Sequence, residues 1–581
     1  RAAARPCRSR NLLNPMDNQR VFLWIALALM VWLNYTAFLQ DQAPQRAQDA
    51  QQESIDEGSA PRLPDGDTPS LPSGASSTEG GEGAPALPRD ADEGPQLSAA
   101  DEAALDDAPR VRVSTDVLEM EISLQGGDLV KALLPEYPIN KNQPDVPVQL
   151  LNPRPGDFFV LRTGVTAGDP AISTRPDTLF SAPAMEYRLD AGQDVLEVPL
   201  TARLESGITV TKVYRFTRGS YAIALEQQVD NQSEAPWNGA SYLQLRRLHD
   251  PEGRSLTNVD SYSYHGPVIF DGEKYDKLDP SDLADARREF TTDSGWAASI
   301  QHHFLAAAIP SGRAQYTASA NRSELYTLTA VRMPSAVPAG GSATFEDQLF
   351  VGPKLQDQLE ATAPRLRLTV DYGWLTVISQ PLFWVLSQIH DLVGNWGWSI
   401  ILLTVLIKAV FYKLSETSGK SMAKMRKLQP RMKALQERYA DDRQKLSQAM
   451  MELYKREKVN PAAGCLPILV QMPVFLALYW VLLESVEMRQ APFMLWINDL
   501  SVRDPYFILP VLMGLTMWAQ QKLNPAPPDP MQAKIMQLLP FVFTIFFAFF
   551  PAGLVLYWFV NNLLAILQQW RINRVVERGG A

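Results

Sequence analysis

Five apolar runs crowd the last third of the chain, at 396–412, 464–486, 506–521, 535–550 and 553–570, and they constrain the fold more than any other feature. Each is expected as a transmembrane helix, because ~20 apolar residues in a helix cross the ~30 Å hydrocarbon core while satisfying their own backbone. Several runs hold only sixteen or seventeen residues, at the lower limit for crossing, so the bilayer around them is expected to be locally thinned. Pro551 and Gly553 divide the last long stretch into a tight hairpin of two spans. A sixth run, 21–39, is apolar apart from Asn34, Tyr35 and Thr36, and no small-residue cleavage site follows it. It reads as an uncleaved signal anchor over 16–40 with Arg20 on the cytoplasmic side, and residues 1–15, ahead of Met16, read as upstream sequence outside the fold.

Basic residues set the orientation. The 413–463 connection carries thirteen Lys and Arg against six Asp and Glu, whereas the 487–505 connection has only Arg489 and Arg503 against three acids. The first is therefore expected in the cytoplasm, together with both termini, the 522–534 loop and the tail at 571–581. The second faces the periplasm. A net charge of −10 averages over these opposed regions and says little about partners.

Between the anchor and the second span the chain is polar. Residues 41–110 hold sixteen acids against four arginines with almost no aromatics, a composition that cannot bury enough apolar surface to order itself and reads as a disordered acidic linker. From 111 to 365 the period becomes two: Leu118, Met120, Ile122 and Leu124 alternate with polar residues, as do Tyr221, Ile223 and Leu225. Turn signals such as QGGD, TRGS and PAGGS separate the runs, so a large periplasmic antiparallel β-sandwich is expected. With cysteines only at 7 and 465, no disulfide staples it. The adjacent His302 and His303 cannot both face one side of a regular strand. At 371–394 Trp374, Ile378, Leu382, Val385, Ile389 and Leu392 return at helical spacing with little charge, which suits an amphipathic helix along the outer membrane interface or one covering the sandwich.

Within the second span, Lys408 lies five residues inside Lys413, about 7 Å deeper at the rise of a helix. A cation at that depth costs roughly 2.5 to 3.5 kcal/mol, so it either faces a protein interior or wet cavity, or snorkels to the inner surface. Thr404, one turn earlier, shares its face. Gln471, Gln520, Thr544, Asn561, Asn562 and Gln568 add polar groups to the other spans; singly each suits interhelical glue, and together with Lys408 they suit a wet cavity.

The basic connection contains two amphipathic helices forming a hairpin, with Met422, Met425, Leu428, Met432, Leu435 and Tyr439 on one face and Leu446, Met450 and Leu453 on the other, and Asp441 or Asp442 capping at the bend. These faces pack on each other or accept varied apolar partners, and the excess charge suits anionic headgroups or ribosomal RNA. There is no Walker loop, GxSxG, HExxH or metal-spaced Cys/His cluster, so no enzyme is indicated. A solute transporter or channel using Lys408 as an anion site and a membrane-anchored carbohydrate enzyme are the competing readings.

Several ordered stretches, among them DYGWLTVISQPLF, GNWGWSIILLTVLIKAVFY, SMAKMRKLQPRMKALQERY, NPAAGCLPILVQMPVFLALYW, DPYFILPVLMG and FFPAGLVLYWFVNN, make the chain resemble the YidC membrane protein insertases of the bacterial inner membrane, in their Gram-negative form. The resemblance implies six transmembrane helices with a five-helix core around a hydrophilic groove, open to cytoplasm and lipid and closed toward the periplasm. Lys408 stands where that family commonly has arginine, keeping the charge and losing the planar fork. Thr404, Gln471, Tyr557 and Trp558 match groove and substrate-contact positions, Trp558 where another aromatic is common. The hairpin, with Met422, Met425, Met432 and Met450, matches the element that receives substrates. Implied partners are nascent membrane proteins, the Sec translocon, the ribosome, the signal recognition particle receptor and anionic lipids, with neither cofactor nor DNA. The implied activity is energy-uncoupled insertion.

Overall fold

A computed structural model describes residues 108–578 apart from 142, 250–262, 323, 440–441, 458–465 and 524–529. The anchor at 16–40, all but the last residues of the 41–110 linker, and Cys7, Asp441 and Cys465 lie outside the described residues.

Two sheets form the domain over residues 110–353. The larger runs in the order β13 (Arg288–Thr292), β16 (Ala314–Ala320), β17 (Leu325–Arg332), β10 (Trp237–Leu248), β5 (Phe159–Ala167), β3 (Leu129–Asn140), β2 (Glu119–Ser123), β1 (Arg110–Ser114), β6 (Glu186–Arg188). β4 (Gln143–Leu151) pairs with β3, and β18 (Ser335–Val337) with β10. The second sheet runs β12 (Tyr275–Lys277), β11 (Gly266–Phe270), β14 (Trp296–Ile300), β15 (Phe304–Pro310), β19 (Ser342–Pro353), β9 (Ala222–Asn231), β8 (Ile208–Thr217), β7 (Val195–Arg203). Pairing is antiparallel throughout except where β6 joins β1 in parallel, a departure from the purely antiparallel sandwich expected. The period-two pattern arises because alternate side chains turn inward: Met120 and Ile122 of β2, and Ile223 and Leu225 of β9, are all buried in one apolar core. His302 and His303 precede β15 in a bend, where strand alternation does not apply, and both rings are buried and stacked at 3.7 Å.

Helices α1 (Pro280–Asp285) and α2 (Gln356–Thr362) belong to this domain. Then follow α3 (Thr376–Val393), α4 (Trp396–Val410), α5 (Tyr412–Arg438), α6 (Arg443–Arg456), α7 (Leu466–Glu484), α8 (Ile508–Leu523), α9 (Pro530–Phe547) and α10 (Ala552–Arg578). On α3 the buried stripe is Ser379, Phe383 and Leu386, one residue C-terminal to the apolar series counted from the sequence; Ser379 Oγ donates to Ala477 O of α7 at 3.3 Å. Trp374, Val377, Trp384 and Leu392 are left outward. By length and composition one described helix, over Ala552–Val575, is long and apolar enough to cross a membrane; Trp396–Val410 and Tyr412–Arg438 pass only as a pair bent by 68°, and Val470–Glu484 and Lys534–Phe547 are shorter apolar helices.

The two regions meet at two seams. The tip of the β3–β4 hairpin lies on the loop after α7, where Arg489 Nη2 and Gln490 Nε2 each donate to Pro138 O at 2.8 Å and Lys141 Nζ donates to Asn498 O. At the second seam the His302 ring bonds Leu483 O at 2.9 Å and Ser263 Oγ donates to the Glu484 carboxylate at 2.6 Å. Glu487, in the short turn that follows, is half-buried, and desolvation pushes its carboxyl up to about 7.

Candidate functional site

Asn395 starts α4 by accepting from Trp398 N–H at 3.1 Å, while its amide donates to Phe493 O at 3.1 Å. Gly397 sits where a Cβ would lie 2.0 Å from the Phe493 ring, so the helix start is pinned against the loop after α7. α4 ends at Val410, and the chain turns at Phe411 through 68° into α5. Lys408 therefore occupies the last turn, where the unpaired carbonyls of the helix carry partial negative charge that favours a cation. It is half-buried and forms no ion pair among the described residues.

Its side chain lines a cavity of about 320 Å³. Five helices contribute: α4 supplies Lys408, α7 Gln471 and Phe475, α8 Gln520 and Gln521, α9 Met536 and Leu539, and α10 Tyr557, Trp558, Asn561 and Asn562. No carboxylate is among the described lining residues, which present one cation and several neutral amides. Gln471 Nε2 donates to Asn561 Oδ1 at 3.3 Å across the α7–α10 gap. At the end of the bundle where α9 turns into α10, aromatic rings close the space. Trp558 packs on Phe475 at 4.4 Å and on Phe547 at 5.0 Å, and Phe547 on Phe550 at 5.2 Å. The α9–α8 wall is tight, since Gly514 leaves room for Thr544, whose Oγ1 would stand 1.9 Å from a Cβ there.

The cavity brings together four of the five groove residues named from the sequence, Lys408, Gln471, Tyr557 and Trp558. Thr404 is not among the lining residues: it is buried and its hydroxyl donates to Ile400 O of its own helix at 2.6 Å. Sequence reasoning missed the apolar lining, Met472, Phe475, Met517, Met536, Leu539 and Pro540, because apolar residues on apolar helices carry no signal of which side is lipid. Phe475 lies one turn from Gln471 and Met517 one turn before Gln520, so helical spacing from the polar residues was the available clue.

In the hairpin, Leu428 and Met432 of α5 bury against Met450 and Leu453 of α6, with Met425, Leu435, Leu446 and Tyr454 packed around them. Met422 is half-buried outside that cluster. Asp442 Oδ1 accepts from Lys445 N–H at 3.0 Å and caps α6. α5 also packs on the far end of α10, where Gly419 faces Ile572 and Gln569.

Both regions match known families. Residues 388–578 match the 60Kd inner membrane protein family, and residues 110–385 match the YidC periplasmic domain. The Membrane protein insertase YidC of Thioalkalivibrio sulfidiphilus is 48% identical, covering 97% of this chain and 100% of that protein. That of Nitrosococcus oceani is 46% identical over the same shares, and that of Methylococcus capsulatus 51% identical over 81% of this chain and 87% of its own. With its helical and periplasmic regions both matched and nearly its whole length aligned to insertases, the chain belongs to the YidC family of membrane protein insertases, inner-membrane proteins that carry a periplasmic domain.

Proposed function

We propose that the 320 Å³ cavity is the substrate groove of the insertase, and that Lys408 holds the polar, often acidic, flank of an entering hydrophobic segment while that segment partitions into lipid. The observation that carries this is a half-buried lysine, without an ion pair among the described residues, facing a cavity whose described lining comes from five helices and holds no carboxylate. A fixed cation in a low-dielectric cavity attracts a passing carboxylate far more strongly than it would in water. The apolar segment supplies the driving force, about 0.8 kcal/mol per buried CH₂, and the groove lowers the barrier without setting the equilibrium. The membrane potential adds ~2.3 kcal/mol per charge per 100 mV to an acidic flank moving outward.

In this scheme α4, α7, α8, α9 and α10 are the five core spans and the 16–40 segment is the sixth, with both termini in the cytoplasm. The bend between α4 and α5, the basic charge of the hairpin and the aromatic closure near Phe547 support an opening on the cytoplasmic side. α4 and α8, at fifteen and sixteen residues, are about 23 Å long, short of the ~30 Å core, which supports a thinned bilayer beside the groove. Nascent membrane proteins are the substrates; the hairpin, with Met422 and Met425 less buried than Met432 and Met450, is the receiving element. The Sec translocon, ribosome, signal recognition particle receptor and anionic lipids are the proposed partners of its cytoplasmic and lateral faces, and Thr404 contributes by shaping the helix that presents Lys408.

A charge series tests the groove. In vesicles containing the full protein, Lys408→Arg is expected to insert a short single-span substrate at the parent rate and Lys408→Glu to lose acidic-flanked substrates, with Lys408→Ala between them. Equal rates across the series mean that Lys408 merely snorkels. Anion flux without any substrate would favour the transporter reading.

A further inference from the structure

The cavity wall carries a second feature that does not depend on charge. Asn561 and Asn562 both line the cavity, but their amides are used differently. Asn561 accepts from Gln471 and so joins two helices, as a polar residue acting as interhelical glue does. Asn562 is only 4% exposed, and its Nδ2 has no hydrogen-bond partner among the described residues. A buried donor left unbonded destabilises the fold that contains it, and such donors are few in native interiors. An amide retained at that cost, on a residue that lines a cavity, is poised for a ligand.

The neighbouring groups define the ligand's chemistry. Lys408 is a donor, Gln471 and Asn561 are engaged with each other, and Phe475 and Trp558 present ring surface. The complement of a lone neutral donor in this setting is a neutral carbonyl acceptor. Every residue of an extended polypeptide supplies one, and alternate carbonyls point to the same side. A phosphate or free carboxylate would be drawn to Lys408 instead.

We propose that Asn562 is a positioning residue whose Nδ2 donates to a main-chain carbonyl of the polypeptide segment held in the cavity, a hold indifferent to the segment's sequence and charge. This rests on the cavity being the substrate groove.

The test uses full-length protein in vesicles and single-turnover insertion of two single-span substrates that differ only in an acidic or a neutral flank. Asn562→Leu, similar in size and without a donor, is expected to slow both substrates by the same factor, about five- to tenfold. Its unfolding midpoint in detergent is expected to be unchanged or raised, since an unbonded buried amide has been removed. Lys408→Ala is expected to slow the acidic substrate more than the neutral one. An unchanged Asn562→Leu rate overturns the proposal, and so does a loss confined to the acidic flank or a slowing accompanied by a lowered midpoint, which is the signature of glue. If Asn562→Leu does not accumulate, Asn562→Ser and Asn562→Ala decide: the hydroxyl variant faster than Ala on both substrates supports the contact, and equal rates refute it. A flat Lys408 series beside an equal Asn562 effect on both substrates removes the electrostatic hold alone. A flat response at both positions removes the groove.

Discussion

Two lysines with different surroundings separate the two regions of this protein. Lys212, in β8, is fully buried in the sandwich, and its ammonium donates to Gly126 O at 2.7 Å, Thr163 O at 2.6 Å and Thr163 Oγ1 at 3.0 Å, using all three donors. The Phe180 ring lies 4.7 Å away, and buried Asp128 is close enough to offset part of the desolvation that brings the lysine down to about 8. Lys408 has the same side chain on a short helix, facing a cavity with no carboxylate among its described lining residues. Where the fold saturates a buried cation, the cation holds strands together; where the fold leaves it facing open space, it is available to something that arrives later.

The largest expected effect comes from Lys212→Met. It takes the ammonium from the buried Gly126 and Thr163 carbonyls and removes one of the cations around Asp128, which keeps Arg162 at 3.7 Å, so the periplasmic domain should lose roughly 3 to 5 kcal/mol, read by thermal unfolding. Insertion should survive in large part, because the groove is built from other helices; an insertion defect as severe as the folding defect would tie the two regions together. Next is the junction. Glu487 holds its proton up to about 7 in the folded protein and only to 4.5 in an unfolded one, so its contribution is full below about 4.5 and lost as pH rises through 7. Glu487→Gln should therefore match the parent near pH 4 and exceed it near pH 8 by roughly 1 to 3 kcal/mol, in pH-dependent melting curves. Burial holds His303 well below its usual range, so its own contribution runs the other way and fades in acid, equally in both proteins.

Lys408→Glu should lower insertion of acidic-flanked substrates about tenfold or more while moving the unfolding midpoint little, the reverse of the Lys212 pattern. The smallest effect is expected from Lys141→Ala at the hairpin tip: an exposed side chain bonded to Gln490 O and Asn498 O should contribute under about 1 kcal/mol to docking the sandwich on the loop. Limited proteolysis between the two regions measures that change, and a larger one would make the hairpin the main tether.

How much of this was legible depended on range. The strands were readable because burial on one face imposes a period of two, and Lys212 itself falls on the buried register with Val210 and Tyr214. Its partners were not, since Gly126 and Thr163 are 86 and 49 residues away. Thr404 and Lys408 share a helical face by spacing, but Thr404 is packed within the bundle with its hydroxyl on Ile400 O and is not among the cavity's lining residues. On α3 Leu382, Val385 and Ile389 of the apolar series do pack against the core, but the most deeply buried edge, Ser379, Phe383 and Leu386, lies one residue on, because the packing partner, α7, decides which edge of a broad stripe is buried.

The sequence by itself determined the period of each region, the sign of charge on each connection and the presence of a lysine deep in an apolar run, because these follow from local composition and the solvent each segment must meet. Only the tertiary structure decided that Lys408, Gln471, Tyr557, Trp558 and Asn562 surround one space while Thr404 does not, and that Asn561 is bonded to Gln471 while Asn562 Nδ2 has no partner among the described residues. Those distinctions depend on which faces five separate helices turn toward one another, and periodicity along a single helix carries no information about the rotation of its neighbours.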